Sequence, residues 1–153
     1  MNFEISKLPF REVKPRNSGL TMVMDKGLSL REAEDFLSVA GAYTDLLKLG
    51  FGTSYVTPGL KEKIELYHRN NIPVYFGGTL FEAFVIRGQL EDYIRLLEKY
   101  KLTHCEVSDG SMDIDEEQKC EYIHQLSKYV TVLSEVGSKD AEKIIPPYKW
   151  IAM

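Results

Sequence analysis

The stretch Asp45-Leu46-Leu47-Lys48-Leu49-Gly50-Phe51-Gly52-Thr53-Ser54 runs from aliphatic residues into a glycine loop, with one lysine inside the aliphatic part. A short, near-continuous apolar run closed by glycines reads as a strand covered on both faces. Outward from residues 45–50, four more such runs recur at intervals of about 25 to 30 residues, at 20–25, 73–77, 104–108 and 131–136. Helical patterns fill the spaces between them. Ser29 with Glu32 forms a capping box ahead of Leu30, Ala33, Leu37 and Ala40 at helical spacing. Thr57-Pro58 reads as a cap with proline at the first helical position, followed by Leu60, Ile64 and Tyr67 on one face. Thr79 with Glu82 is a second capping box, and Gly88 interrupts the pattern it opens before Leu90, Tyr93, Ile94 and Leu97 resume it. Asp115 with Gln118 starts the last helix, with Ile123 and Leu126 inward.

Strands alternating with helices at this period imply repeated βα units and a parallel sheet. Two α/β architectures compete. A five-stranded doubly wound sheet suits the length but normally ends in a helix, and Pro146-Pro147 stops one after the fifth run. A (β/α)8 TIM barrel needs about 250 residues, so the chain would supply a partial barrel of five parallel strands. Asp25, Lys48, Glu106, Ser108 and Glu135 all fall near the C-terminal ends of their runs. Barrel enzymes gather reacting groups from several strands at that rim, which favours the partial barrel.

The 153 residues, 44% hydrophobic and 27% charged, are expected to form one domain spanning 1–153. A net charge of −4 leaves no electrostatic footprint for nucleic acid, and no apolar run is long enough for a membrane span. The first residues carry charges where a signal peptide needs an apolar stretch, so a cytoplasmic location is expected. Cys105 and Cys120 fit no paired spacing and read as reduced thiols.

Several residues are candidates for chemistry. The loops Gly50-Phe51-Gly52-Thr53-Ser54 and Gly77-Gly78-Thr79 follow neighbouring strands, where backbone N–H groups can face an anion. Turn geometry explains them equally, since neither matches a nucleotide fingerprint. Lys48, inside an apolar strand, needs a carboxylate or an anionic ligand, and Asp25 is its structural alternative. Glu106 and Glu135, at neighbouring strand ends, repel unless a cation joins them; hard oxygens without a cysteine or histidine cluster point to Mg2+. An ion-pair network with Lys48 and Lys139 is the structural alternative for the two glutamates. Lys139 is a candidate acid or phosphate contact, or a solvated loop lysine. The capping box accounts for Glu82, Asp113 and Asp115 read as cap and turn residues, and His68, His104 and His124 share no spacing.

Gly19-Leu20-Thr21 with Asp25-Lys26-Gly27, then Lys48 to Ser54, then Phe76-Gly77-Gly78-Thr79-Leu80-Phe81-Glu82, resemble motifs of the phosphosulfolactate synthase family. Glu106-Val107-Ser108-Asp109-Gly110 and Leu133-Ser134-Glu135-Val136-Gly137-Ser138-Lys139-Asp140 continue the resemblance in the same order, so that it covers nearly the whole chain. The resemblance implies a (β/α)8 barrel that adds sulfite to phosphoenolpyruvate in a Mg2+-dependent Michael-type reaction, giving (2R)-phospho-3-sulfolactate for coenzyme M or sulfolactate formation. Carried onto this sequence, it makes Lys139 the general acid. Glu106 and Glu135, assisted by Asp25, become Mg2+ ligands, direct or through water, with Glu106 and Lys48 also placed among the catalytic groups. Lys48, Gly52, Thr53, Gly78, Thr79 and Ser108 become contacts to the anionic substrates. The resemblance also implies that only the first five βα units of the eight are present. A chain of that kind is expected to be a truncated, inactive piece, or to associate with further copies through open strand edges into a homo-oligomer. A non-catalytic binding protein, like the family's heat-stress-associated plant members, is the alternative.

Overall fold

A computed structural model describes residues 5–136. Within them, five short strands alternate with helices in the expected order. β1 (Met22–Asp25) leads to α1 (Leu30–Ala40), β2 (Leu46–Leu49) to α2 (Leu60–Arg69), and β3 (Val74–Phe76) to a broken pair, α3 (Gly78–Val85) and α4 (Leu90–Lys99). β4 (His104–Val107), α5 (Glu116–Leu126) and β5 (Thr131–Ser134) complete the described chain. Every strand lies inside its expected run and is one or two residues shorter at the ends. The flanking residues reach into loops, as Gly50 and Gly77 do with single bonds to Asp25 and Leu49.

Strand order settles the architecture. All pairs are parallel, running β1-β2-β3 in one sheet and β4-β5 in a second. β3 and β4 pack side by side between the two sheets. A doubly wound sheet would reverse its order at a switch point; this one advances in sequence, as a partial (β/α)8 barrel does.

The alternation of side chains separates two faces. Leu47, Leu49, Val74, Phe76, Cys105 and Val107 meet the helices and form the core with Ile64, Tyr67, Phe81, Tyr93, Leu97 and Leu126. Phe81 and Phe84 both pack against the Tyr93 ring, and Phe81 also meets Tyr122 edge-on. The opposite parity carries Met24, Lys48 and Tyr75, in register across the first three strands. Glu106 sits opposite Leu133 in the second sheet. This second face corresponds to the inside of a barrel.

Helix starts agree with the sequence in part. Ser29 and Glu32 close both halves of their capping box, and Asp115 accepts from the Gln118 N–H. Gly88, at φ +67°, breaks the third helical pattern as expected. The Thr57-Pro58 start is corrected: Pro58 lies in a turn, Gly59 is the cap at φ +65°, and the Thr57 hydroxyl donates to the Thr53 carbonyl at 2.8 Å. The Thr79–Glu82 box is also corrected. α3 begins at Gly78, so Thr79 is already inside the helix and no side chain caps its start.

Candidate active site

Lys48 emerges from the centre of β2 on the face away from the helices, and two glutamates meet it. Its Nζ lies 2.6 Å from Glu106 Oε1 and 3.5 Å from Glu135 Oε2. The Lys48 side chain is 13% exposed, Glu106 8% and Glu135 37%, so the group is covered but not sealed. Glu106 Oε1 also accepts the Gly78 N–H at 2.8 Å, while Oε2 accepts a long contact, 3.4 Å, from the Tyr75 hydroxyl. Among the described residues, two carboxylates thus share the one ammonium.

The glycine pair after β3 serves this cluster by absence of bulk. A Cβ on Gly77 would lie 2.8 Å from Lys48 Cε, and one on Gly78 would lie 2.5 Å from the Ser108 Cβ. Two of the four loop amides that sequence reasoning placed against the substrates, those of Thr53 and Gly78, are committed within the protein. The Gly78 N–H is committed to Glu106. The Thr53 N–H and hydroxyl both go to the Gly50 carbonyl. Gly52 takes the left-handed conformation at φ +67° and its carbonyl accepts from Tyr55. Thr79 lines a cavity of about 450 Å³ with Gly52, Phe51, Phe84 and Arg87, between the loop after β2 and α3. Ser108 is fully buried and its hydroxyl donates to Glu82 Oε1.

Asp25 does not join Glu106 and Glu135. It pairs in register with Leu49, not Lys48, and so belongs to the helix-side face. There Oδ1 accepts from the Gly27 and Leu28 amides at 2.8 Å each, and Oδ2 from Lys63 Nζ at 2.9 Å and the Tyr67 hydroxyl at 3.0 Å. Its structural partner is therefore Lys63. Lys139 lies outside the described residues.

No group of three His, Cys, Asp or Glu side chains converges as a metal site among the described residues. Glu106 and Glu135 nevertheless suit Mg2+ chemically. They are hard oxygen donors, one in β4 and one just past the neighbouring β5, and Mg2+ commonly takes one or two carboxylates and keeps water elsewhere. Asp25, with both oxygens saturated by four donors, does not fit as a third ligand.

Burial shapes the neighbouring acids and bases. The Tyr75 hydroxyl is pushed upward by burial and by the charges of Glu106 and Glu135, which keeps it protonated. The Cys105 thiol is pushed up to about 12, by burial first and then by Glu106, so it is an inert core group. Burial lowers His68 and His104, which favours their neutral forms.

Three further charged residues are buried: Glu82, which sequence reasoning assigned to a cap, and Lys63 and Lys119, to which it gave no role. Glu82 reaches from α3 to the loop after β4, accepting from Ser108 and, at 2.9 Å, from the Ser111 N–H. Lys119 of α5 donates to Asp109 Oδ1 at 3.0 Å and to the Glu135 carbonyl at 2.7 Å. Lys63 of α2 closes the Asp25 cluster. Glu82 had one signal in the sequence: it is the only charge in Gly78-Thr79-Leu80-Phe81-Glu82-Ala83-Phe84-Val85, and a charge in a helix apolar all round needs an internal partner.

Residues 9–153 match the sequence profile of the ComA family, (2R)-phospho-3-sulfolactate synthase. The chain is 38% identical over 142 residues to a phosphosulfolactate synthase of Bacillus subtilis, covering 93% of this chain and 56% of that protein. It is 36% identical over 138 residues to the enzyme so named in Methanothermobacter thermautotrophicus, with 88% and 54% covered. For the phosphosulfolactate synthase of Methanocaldococcus jannaschii the identity is 43% over 128 residues, covering 82% and 51%. The chain thus spans about half the length of the relatives it matches. The family match runs through Lys48, Glu106 and Glu135, and by it and these relatives the chain belongs to the (2R)-phospho-3-sulfolactate synthase family.

Proposed function

We propose that this chain carries the strand-end face of a phosphosulfolactate synthase site, at which sulfite adds to phosphoenolpyruvate in the cytoplasm to give (2R)-phospho-3-sulfolactate. The observation that supports this reading is the Lys48 ammonium held between Glu106 and Glu135 on the barrel-side face. Both substrates are anions, and Lys48 is a partly covered cation with an accessible side. Its ammonium would bind and orient sulfite or the substrate carboxylate. The sulfite lone pair forms the new S–C3 bond while the C2–C3 π pair moves to C2 and the carboxylate; a proton then goes to C2.

Glu106 and Glu135 would hold Mg2+, directly or through water, and the ion would stabilise the charge that builds on the carboxylate. Tyr75, protonated and buried beside Glu106, would help to fix that carboxylate in place. Lys139 remains the proposed proton donor to C2. Two cysteines outside any disulfide, Cys105 buried and Cys120 exposed, suit a reducing compartment.

The test is consumption of phosphoenolpyruvate by the purified chain, dependent on both sulfite and Mg2+, with the sulfonated product identified by mass. Lys48→Met is expected to lower kcat/KM by about 100-fold or more, the scale of losing one preorganised charged contact. Lys139→Ala is expected to abolish turnover while leaving the melting temperature unchanged. No product from folded wild-type chain would overturn the reading for this chain.

A further inference from the structure

Lys119 is 1% exposed, although it lies on a helix otherwise rich in solvated charge. A buried ammonium is costly unless its N–H groups find acceptors. Lys119 has two, Asp109 Oδ1 in the loop after β4 and the main-chain carbonyl of Glu135 just past β5. The Glu135 N–H is held as well, donating to the Val107 carbonyl at 2.9 Å. Both main-chain polar groups of Glu135 are therefore fixed, one from β4 and the other from α5. With its backbone held on both sides, the side chain has only its own rotamers to settle before Oε2 meets Lys48.

We propose that Lys119 is a positioning residue, which sets the Glu135 carboxylate against Lys48 by clamping the Glu135 carbonyl from behind the strand. The inference rests on the reading of Glu135 as a working group of the site. It differs from a space-filling role, for which an apolar side chain would serve as well and at lower cost.

A carbodiimide joins a carboxylate to an ammonium only where the two are in contact, so it reads this geometry directly. The Lys48–Glu135 cross-link, quantified by peptide mass spectrometry, is compared with the exposed Lys61–Glu65 pair, 3.9 Å apart on α2. Lys119→Met is expected to lower that ratio by about tenfold, the usual scale for losing a supporting partner of a functional group. An unchanged ratio in folded protein overturns the proposal. If Lys119→Met does not fold, Lys119→Gln, which keeps a polar donor but is too short to reach the carbonyl, is expected to show the same loss. Asp109→Asn leaves the bond to Glu135 in place and is expected to keep the wild-type ratio. A fall there equal to that of Lys119→Met would assign the effect to the loop and overturn the clamp. Absence of sulfite addition would refute the functional reading, yet the cross-link ratio would still decide the role of Lys119.

Discussion

A methyl group added at Gly78 would press on Ser108 Cβ at 2.5 Å and on Glu106 Oε1 at 3.2 Å. Neither neighbour has room to retreat, since Ser108 is fully buried and Glu106 is held by Lys48. Gly78→Ala is expected to destabilise the protein by about 1–3 kcal/mol, the cost of overpacking, as read by denaturant titration. Glu82→Gln puts an amide where a buried carboxylate accepts two hydrogen bonds, and about 1–3 kcal/mol is expected to be lost. Glu32→Gln, exposed in its capping box, is expected to change stability by about 0.5 kcal/mol or less, because glutamine serves a capping box as well. The two glutamates look alike in the sequence, each three residues after a hydroxyl side chain. That spacing does not say where the first hydrogen-bonded turn begins, so it could not separate a cap from a buried anchor. Lys48, Glu106 and Glu135 were legible because strand alternation fixes which face a residue occupies. Lys63 and Lys119 were not, because a lysine on an amphipathic helix looks solvated until its acceptors on other elements are known.

Elements show the same division. Strand positions followed from apolar runs, and helix starts followed where a side chain closes the cap. Where backbone alone closes it, as Gly59 and Gly77 do, the sequence misplaced the start by two residues. Stability should reflect this. Ser29→Ala removes a side-chain acceptor for the Glu32 N–H and is expected to cost about 1 kcal/mol. Thr79→Ala removes no cap, and a change within about 0.5 kcal/mol is expected in the same titration. If the two substitutions cost the same, the start of α3 at Gly78 is wrong.

At the scale of the molecule, the segment before β1 is strapped to the loop before β2 through Asp45. Its carboxylate accepts from Arg16 and, at 2.8 Å, from the Thr21 N–H. Burial pushes Asp45 upward, but the Thr21 N–H and the Arg16 guanidinium outweigh it and hold the group below its ordinary 3.8. A carboxyl lowered in the folded state contributes stability above its unfolded value and loses it as pH falls through the folded one. Melting temperatures measured downward from about pH 4 should therefore fall less steeply in Asp45→Asn than in wild type, although the variant starts lower. The strand order was inferable from the βα repeat, whereas the division into two sheets was not. It arises where β3 and β4 lie together and Gly78, Ser108 and Ser111 bond to glutamate side chains across the join. Gly77 and Gly78 consequently sit on opposite sides of a boundary: the Gly77 amide is held by the Leu49 carbonyl of β2, the Gly78 amide by a carboxylate from β4. In deuterated solvent, these adjacent amide protons should exchange at separate rates, Gly77 with the opening of the first sheet and Gly78, faster, with the parting of the two sheets.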